Sequence, residues 1–410
     1  MRRGRGIAVV LAAFALILTG TVSLYAGRKK NARPAPEVKP NILDLLDYSK
    51  IVWPNPPAIT RIKYLNYFSA EKLRPQTQQK QKVAWMDRLS GVVTGETRAD
   101  KPRFQLVTPY GVAVDSKGRL YVADSKVLAV FIFNTETKDV ELIKNGTHAR
   151  FGWITGLVID DADRLFVSDS KMRRVVVFDP EHTAEGTISE GLVSPGGMAI
   201  DNENRYLYVA DAELDQVLVF DADPPYKLLR RIGTGGKEHT LTTPGDFARP
   251  SNVAVDQDGN LYVSDTLNDR VEIFDAEGNF IRAFGKPGDG PGYFARPKGI
   301  AIDGDGHVWV ADAVQNRVQV FTPEGRLLIW MGENGTLPGQ SSALAGLTID
   351  RKNRVFTSDQ YPGRVQMFQY VNNAEAMAER DRRLAEAQKK KSGAPAKDGT
   401  AVKAQPAAVN

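Results

Sequence analysis

The chain repeats one design six times, and that repetition limits its possible folds more than any other feature. Each copy is a short apolar run ending in Asp, a polar turn, a second apolar run ending in Asp, and a third apolar run. The copies read GVAVDSKGRLYVAD (111–124), GLVIDDADRLFVSD (156–169), GMAIDNENRYLYVAD (197–211), NVAVDQDGNLYVSD (252–265), GIAIDGDGHVWVAD (299–312) and GLTIDRKNRVFTSD (346–359). Their first aspartates, Asp115, Asp160, Asp201, Asp256, Asp303 and Asp350, stand 41 to 55 residues apart. Third runs such as VVVFD, VLVFD, VEIFD and VQVFT follow, and several copies add a fourth, as in KLLRRI, NFIRAF and RLLIWM. Four antiparallel strands every forty residues or so is the period of a propeller blade, and such units fold only by stacking on one another. The sequence therefore predicts an all-β protein, a six-bladed β-propeller.

These copies resemble the NHL-repeat family of β-propellers, over roughly residues 104–370. The likeness is most specific in FARPSNVAVDQDGNLYVSDTLNDRVEIFDAEGNFIRAFG (247–285) and FARPKGIAIDGDGHVWVADAVQNRVQVFTPEGRLLIWMG (294–332). Ring closure follows from the residues themselves. The sixth copy has a third run at 364–371 (RVQMFQYV), after which a polar, helix-like segment begins and no fourth strand follows. Upstream, residues 61–68 (RIKYLNYF) have the look of the missing fourth strand. Pairing them into the last blade locks the ring and removes an exposed sheet edge. The proline-rich segment VWPNPP (52–57) reads as a rigid, extended lead-in, and VAWMDRL (83–89) as a short amphipathic helix within an insert at 70–103. The propeller is thus expected to span 52–371, after a linker at 31–51.

The formal net charge of +5 belongs to the two ends. Residues 1–33 carry seven basic and no acidic side chains, and residues 371–410 carry eight basic and five acidic. The remaining 39 basic and 44 acidic residues leave the body at −5, which withdraws the invitation to nucleic acid. Residues 7–26 are twenty uncharged residues behind Arg2, Arg3 and Arg5, long enough to cross a bilayer core. Residues 1–30 therefore read as a signal anchor or signal peptide with a transmembrane helix at 7–26. Leu24 occupies a position where cleavage prefers a small side chain, which favours an uncleaved anchor. The body is expected outside the cytoplasm, at the membrane or, if cleaved, secreted. Residues 372–410 begin as a charged helix and end in a flexible, low-complexity tail without aromatic residues. No cysteine is present, so disulfides, thiolate metal sites and a thiol nucleophile are excluded.

Several motifs have two readings. DxDG at 256–259 and 303–306 suggests calcium, but strand resumes directly after Gly, so a hairpin turn with Asp as its cap is the better account. Arg follows the second aspartate by five residues in four copies (Arg174, Arg270, Arg317, Arg364), which points to a repeated ion pair or turn contact. The Gly-rich runs at 233–236 and 285–292 lack the Lys-Ser/Thr continuation and the following helix of a phosphate cradle, and read as connectors. Histidines occur only at 148, 182, 239 and 307, with no metal spacing between them. Two enzyme branches of six-bladed propellers bear on this. The resemblance to peptidyl-hydroxyglycine lyases would imply a zinc held by three His, and that to calcium-dependent lactonases a channel ring of Glu, Asn and Asp. Only Asn252 stands at a matching position.

Propeller ligands meet the face where first strands run into the central channel. The residues there are Tyr110, Trp153, Arg249, Asn252, Arg296 and Lys298. Aromatic and arginine side chains suit a recognition surface, although they also fill gaps between blades. The expectation is a non-catalytic recognition or scaffold protein, binding a protein partner or small ligand on the channel face without a cofactor. The alternative is a propeller enzyme, a lyase or hydrolase with a metal in the channel.

Overall fold

β-Branched and aromatic residues dominate each apolar run, and each becomes a strand; the polar turns between them reverse at residues of positive φ, such as Gly259 (+80°) and Gly306 (+82°). The computed structural model describes residues 46–70, 104–236 and 238–392. Contacts divide the chain into Met1–Leu46 and Asp47–Asn410, and the description below concerns the second unit.

Six antiparallel sheets form the blades, five with four strands and one with five. Their first strands, Pro109–Val114, Ile154–Ile159, Pro195–Asp201, Pro250–Val255, Pro297–Ile302 and Leu344–Ile349, touch in sequence order, and the last touches the first. The ring is closed. Second strands such as Leu120–Asp124, Leu165–Asp169 and Val308–Asp312 are buried along their whole length. Both faces of each blade lie against neighbours, so these strands are apolar without alternation, whereas the outer Leu327–Met331 alternates. The core is accordingly six separate apolar clusters, each lying in one seam between adjacent blades.

The closing element is β2 (Ile62–Phe68), which pairs with Arg364–Tyr370 in the sixth blade. A register shift between Tyr64 and Asn66 gives it a second task. By simple alternation Ile62, Tyr64 and Phe68 would share one face, but one extra residue inverts the parity beyond the bulge. Ile62 and Tyr64 therefore enter the seam with blade five, and Phe68 enters the seam with blade one, where it meets Phe133 at 5.6 Å. One strand closes two seams. The proline-rich lead-in does more than extend: β1 (Val52–Trp53) pairs with β2 as a fifth strand.

After the last blade strand, Asn372 caps α1 (Asn373–Ser392) by accepting the Glu375 N–H at 3.0 Å. The helix docks through buried Ala376 and a 2.6 Å ion pair from Lys63 on β2 to Glu379. The transmembrane reading of 7–26, the helix at 83–89 and the flexible tail beyond 392 fall outside the described residues. Among the described residues no helix is long and apolar enough to cross a membrane.

Because Phe68 belongs to both the closing strand and the blade-one core, Phe68→Ala is expected to lower the unfolding free energy by about 3–5 kcal/mol. Urea denaturation of the variant checks this; a loss below about 1 kcal/mol would show that the seam does not depend on it.

Candidate functional site

In five of the six blades the loop that leads into the channel is fixed by the aspartate at the end of the second strand. All six, Asp124, Asp169, Asp211, Asp265, Asp312 and Asp359, are fully buried. Asp124 accepts the backbone N–H groups of Val107 (2.6 Å) and Thr108 (2.9 Å), just before its own blade's first strand. Asp169 does the same for Gly152 and Trp153, Asp211 for Val193 and Ser194, and Asp312 for Ala295 and Arg296. Charge-assisted bonds of this kind are roughly twice as strong as neutral ones, and they satisfy loop donors that would otherwise be stranded.

The recurrent Arg completes this clamp only where the loop leaves it incomplete. Asp265 receives one loop N–H, from Ala248, and Arg270 supplies a buried Nε donor at 2.9 Å. Asp359 is held by Arg364 at 2.8 Å and by Gln366 at 2.8 Å. In the second blade, where two loop amides already serve the carboxylate, Arg174 turns away to the Arg150 carbonyl. Arg317 likewise makes no ion pair among the described residues. The predicted repeated pair is thus real in two blades of four.

The third strand of blade four adds a second buried carboxylate, Glu272, which accepts the Gly245 N–H at 2.9 Å and shares Arg270 at 2.5 Å with Asp265. Two carboxylates on one guanidinium leave a surplus negative charge away from water, and burial pushes Glu272 up to about 7. Burial also raises Asp359 to about 6. At the position of Glu272, the next two blades carry Gln319 and Gln366, whose amide oxygens accept the N–H groups of Gly292 and Gly339.

First-strand aspartates cap hairpins. Asp256 Oδ1 accepts the N–H groups of Asp258 (3.0 Å) and Asn260 (2.9 Å), and Asp303 Oδ1 those of Asp305 (3.0 Å) and His307 (2.9 Å). These oxygens are committed to the turn, as the hairpin account requires. His307 sits in that turn, ahead of the strand Val308–Asp312 rather than within it. His148 accepts the Lys144 N–H, His182 lies 2.9 Å from the Tyr121 hydroxyl, and His239 lies 2.9 Å from the Phe247 carbonyl. Each imidazole serves a different local contact, and no group of three metal-ligating side chains converges among the described residues.

The channel is a cavity of about 270 Å³ walled by the six first strands. Five of the six strands place Gly at one level: Gly111, Gly156, Gly197, Gly299 and Gly346, with Asn252 in the sixth. A Cβ at Gly156 or Gly346 would collide with the backbone oxygen of Gly196 or Tyr110 on the adjoining strand. Adjacent strands thus approach backbone to backbone, and side chains are given up for that contact. Deeper in, Val114, Ile159, Ile200, Val255, Ile302 and Ile349 form an aliphatic ring.

Polar groups gather at the mouth. Of the six sequence-predicted residues, Tyr110, Asn252 and Lys298 line the cavity. The Lys298 ammonium lies 5.5 Å from the Tyr110 ring centroid and makes no ion pair with a described residue. Asn252 Oδ1 accepts the Val253 N–H, and its amide nitrogen makes no hydrogen bond with a described residue. Trp153, Arg249 and Arg296 do not reach the cavity. They stand exposed on the clamped loops, and Arg249 is spent on Glu213 at 3.2 Å. Sequence reasoning missed Thr155 and Ser251, which occupy the register of Tyr110 and Lys298 in their own strands. That shared register was the available signal.

A ring closed by a preceding strand, six blades of four-stranded repeats and a narrow axial channel define an NHL-repeat β-propeller, and the NHL repeat model matches residues 294–321. The chain belongs to the family described as SMP-30/Gluconolactonase/LRE-like region, whose model matches residues 76–295, over half its length. Among solved structures it is similar to a protein of unknown function from Bacteroides thetaiotaomicron VPI-5482, at 15% identity and TM-score 0.53, covering 64% of this chain and 70% of that one. It is also similar to a gluconolactonase from Xanthomonas campestris, at 19% identity and TM-score 0.50, covering 65% of this chain and 87% of that one. At these identities the likeness is one of fold. A divalent cation of the calcium type takes six to eight oxygen ligands, with carboxylates supplying the charge that holds it. This wall offers hydroxyls, one amide and an ammonium but no carboxylate, so its side chains do not supply the charge such an ion needs.

The loop clamp makes stability pH-dependent with a definite sign. Glu272 titrates higher folded, at about 7, than its ordinary 4.5, so its contribution is complete below pH 4.5 and lost as pH rises through 7. Glu272→Gln, which copies the neighbouring blades, is expected to match the parent near pH 4 and exceed it by about 1–3 kcal/mol at pH 8. Urea melts across that range check it, and a difference that does not change with pH would contradict the assignment.

Proposed function

We propose that this protein is a non-catalytic recognition propeller whose channel mouth binds an anionic group, carried by a small ligand or by an acidic side chain of a protein partner. The observation that carries the reading is Lys298. It is the one charged side chain on a channel wall otherwise made of backbone, aliphatic side chains and a few neutral polar groups. An ammonium at the rim of a low-dielectric channel, beside Tyr110 and the Asn252 amide, attracts an anion, while the Thr155 and Ser251 hydroxyls donate to the Pro195 and Lys298 carbonyls. The exposed Trp153 and the loop arginines Arg249 and Arg296 surround that mouth as a wider contact surface for a partner. In this reading residues 7–26 hold the propeller at a membrane, on its extracytoplasmic side, as their uncharged run and basic flanks suggest.

A second reading, a channel hydrolase or lyase, draws on the family's description. It asks for a general base, or for a cation and its ligands, on the channel wall, and the lining residues include neither a carboxylate nor an imidazole.

A photo-reactive residue in place of Trp153, in full-length protein in its native membrane, tests the first reading. Capture of a defined partner is expected, reduced at least tenfold when Lys298 and Asn252 are both alanine. Undiminished capture by that variant would remove the mouth from the account.

A further inference from the structure

A second cavity lies far from the channel, where the outer strand of blade five faces the lead-in and the closing strand. It encloses about 650 Å³, within the range of small-molecule sites, and Trp53, Arg61, His307, Leu328, Trp330 and Tyr370 are among its lining residues. Its frame is rigid. Trp53 packs edge-on against Phe368 at 5.8 Å, and Tyr370 packs edge-on against the buried Trp309 at 5.5 Å. The Arg61 backbone is held on both sides, its N–H donating to Trp53 at 2.7 Å and its carbonyl accepting from Val371 at 2.7 Å.

The guanidinium on that fixed backbone is unspent. Arg61 makes no ion pair or side-chain hydrogen bond with a described residue; its Nη1 is closed to water, so a ligand in the cavity is met by the other guanidinium nitrogens, Nε and Nη2. A charged donor buried without a partner is costly, and native structures seldom leave one so. Beside it, His307 gives Nδ1 to Asp303 at 3.0 Å, so its other ring nitrogen is the one left for the cavity. The remaining wall is apolar, with Trp53 and Trp330 among Pro54, Ile59, Leu328 and Ile329, and Trp330 is 45% exposed.

We propose that this cleft binds a flat aromatic carboxylate, its ring against the indoles of Trp53 and Trp330 and its carboxylate on the Arg61 guanidinium. The planar fork of a guanidinium matches a carboxylate through two parallel hydrogen bonds, and indole faces favour a planar π-system. A bare inorganic anion would satisfy Arg61 but leave the indoles empty. A neutral arene would cover the indoles and leave the guanidinium without an acceptor. Only a ligand carrying both parts uses what the cleft displays.

The test is calorimetric titration of the full-length protein with 2-naphthoate, with 2-naphthamide as the uncharged counterpart. Saturable one-to-one binding of naphthoate is expected, weakened at least tenfold by Arg61→Gln and several-fold by Trp330→Ala. The amide should bind more weakly and be indifferent to Arg61→Gln. Trp330 is half exposed on an outer strand, so its removal spares the cores and keeps the test valid if Arg61→Gln fails to fold. Lys298→Ala should leave naphthoate binding unchanged, which separates this cleft from the channel mouth. Absence of saturable binding, equal affinity in both cleft variants, equal competition by inorganic phosphate, or loss with Lys298→Ala would each overturn the proposal.

Discussion

The buried carboxylate at the end of each second strand is the contact on which the rest of this propeller depends. Blades made of four short strands have ample apolar surface for their seams, but the loops between blades carry backbone donors that no sheet satisfies. Placing an acceptor-only side chain beneath the loop solves that problem in five blades, at the point where the chain turns into the channel. The consequence reaches the functional face. Tyr110 and Lys298 hold their places because the loops just ahead of them are tied to Asp124 and Asp312. Where the loop presents fewer amides, Arg270 and Arg364 make up the difference.

The channel shows what close packing removes. Five glycines let neighbouring first strands touch through their backbones, and at that level the side chains that would otherwise fill the axis are reduced to Asn252. An axis built this way is well suited to holding one group by a few directed contacts, and poorly supplied with groups that move protons. The mouth therefore gains its character from one strand position, occupied by Tyr110, Thr155, Ser251 and Lys298 in four of the blades.

Much of this was legible in advance, for identifiable reasons. Second and third strands buried on both faces leave an unbroken apolar signature, and the repeated aspartates mark their ends, so blade number and closure could be read from pattern alone. The DxDG hairpins were legible because a turn and a calcium loop need different lengths of chain. Tyr110, Asn252 and Lys298 were legible because they stand at the entries of their first strands. Trp153, Arg249 and Arg296 were placed one step too far inward, because they precede their strands on loops whose direction is set by the aspartate clamp; Arg249 turns at a φ of +53°. The aromatic cleft could not be read at all, since residues 53 and 61 meet residues 307, 330 and 370 only once the lead-in and closing strand pair into the sixth blade. The parity change in β2 has no sequence signature beyond Leu65, an apolar residue left partly exposed at the bulge.

The central claim is that the channel recognises anions through Lys298 and does not hold a cation. Equilibrium dialysis of the full-length protein against calcium and zinc, followed by elemental analysis, tests it most directly. The account predicts well under one equivalent of either metal retained. One equivalent retained, and lost on Asn252→Ala, would contradict it.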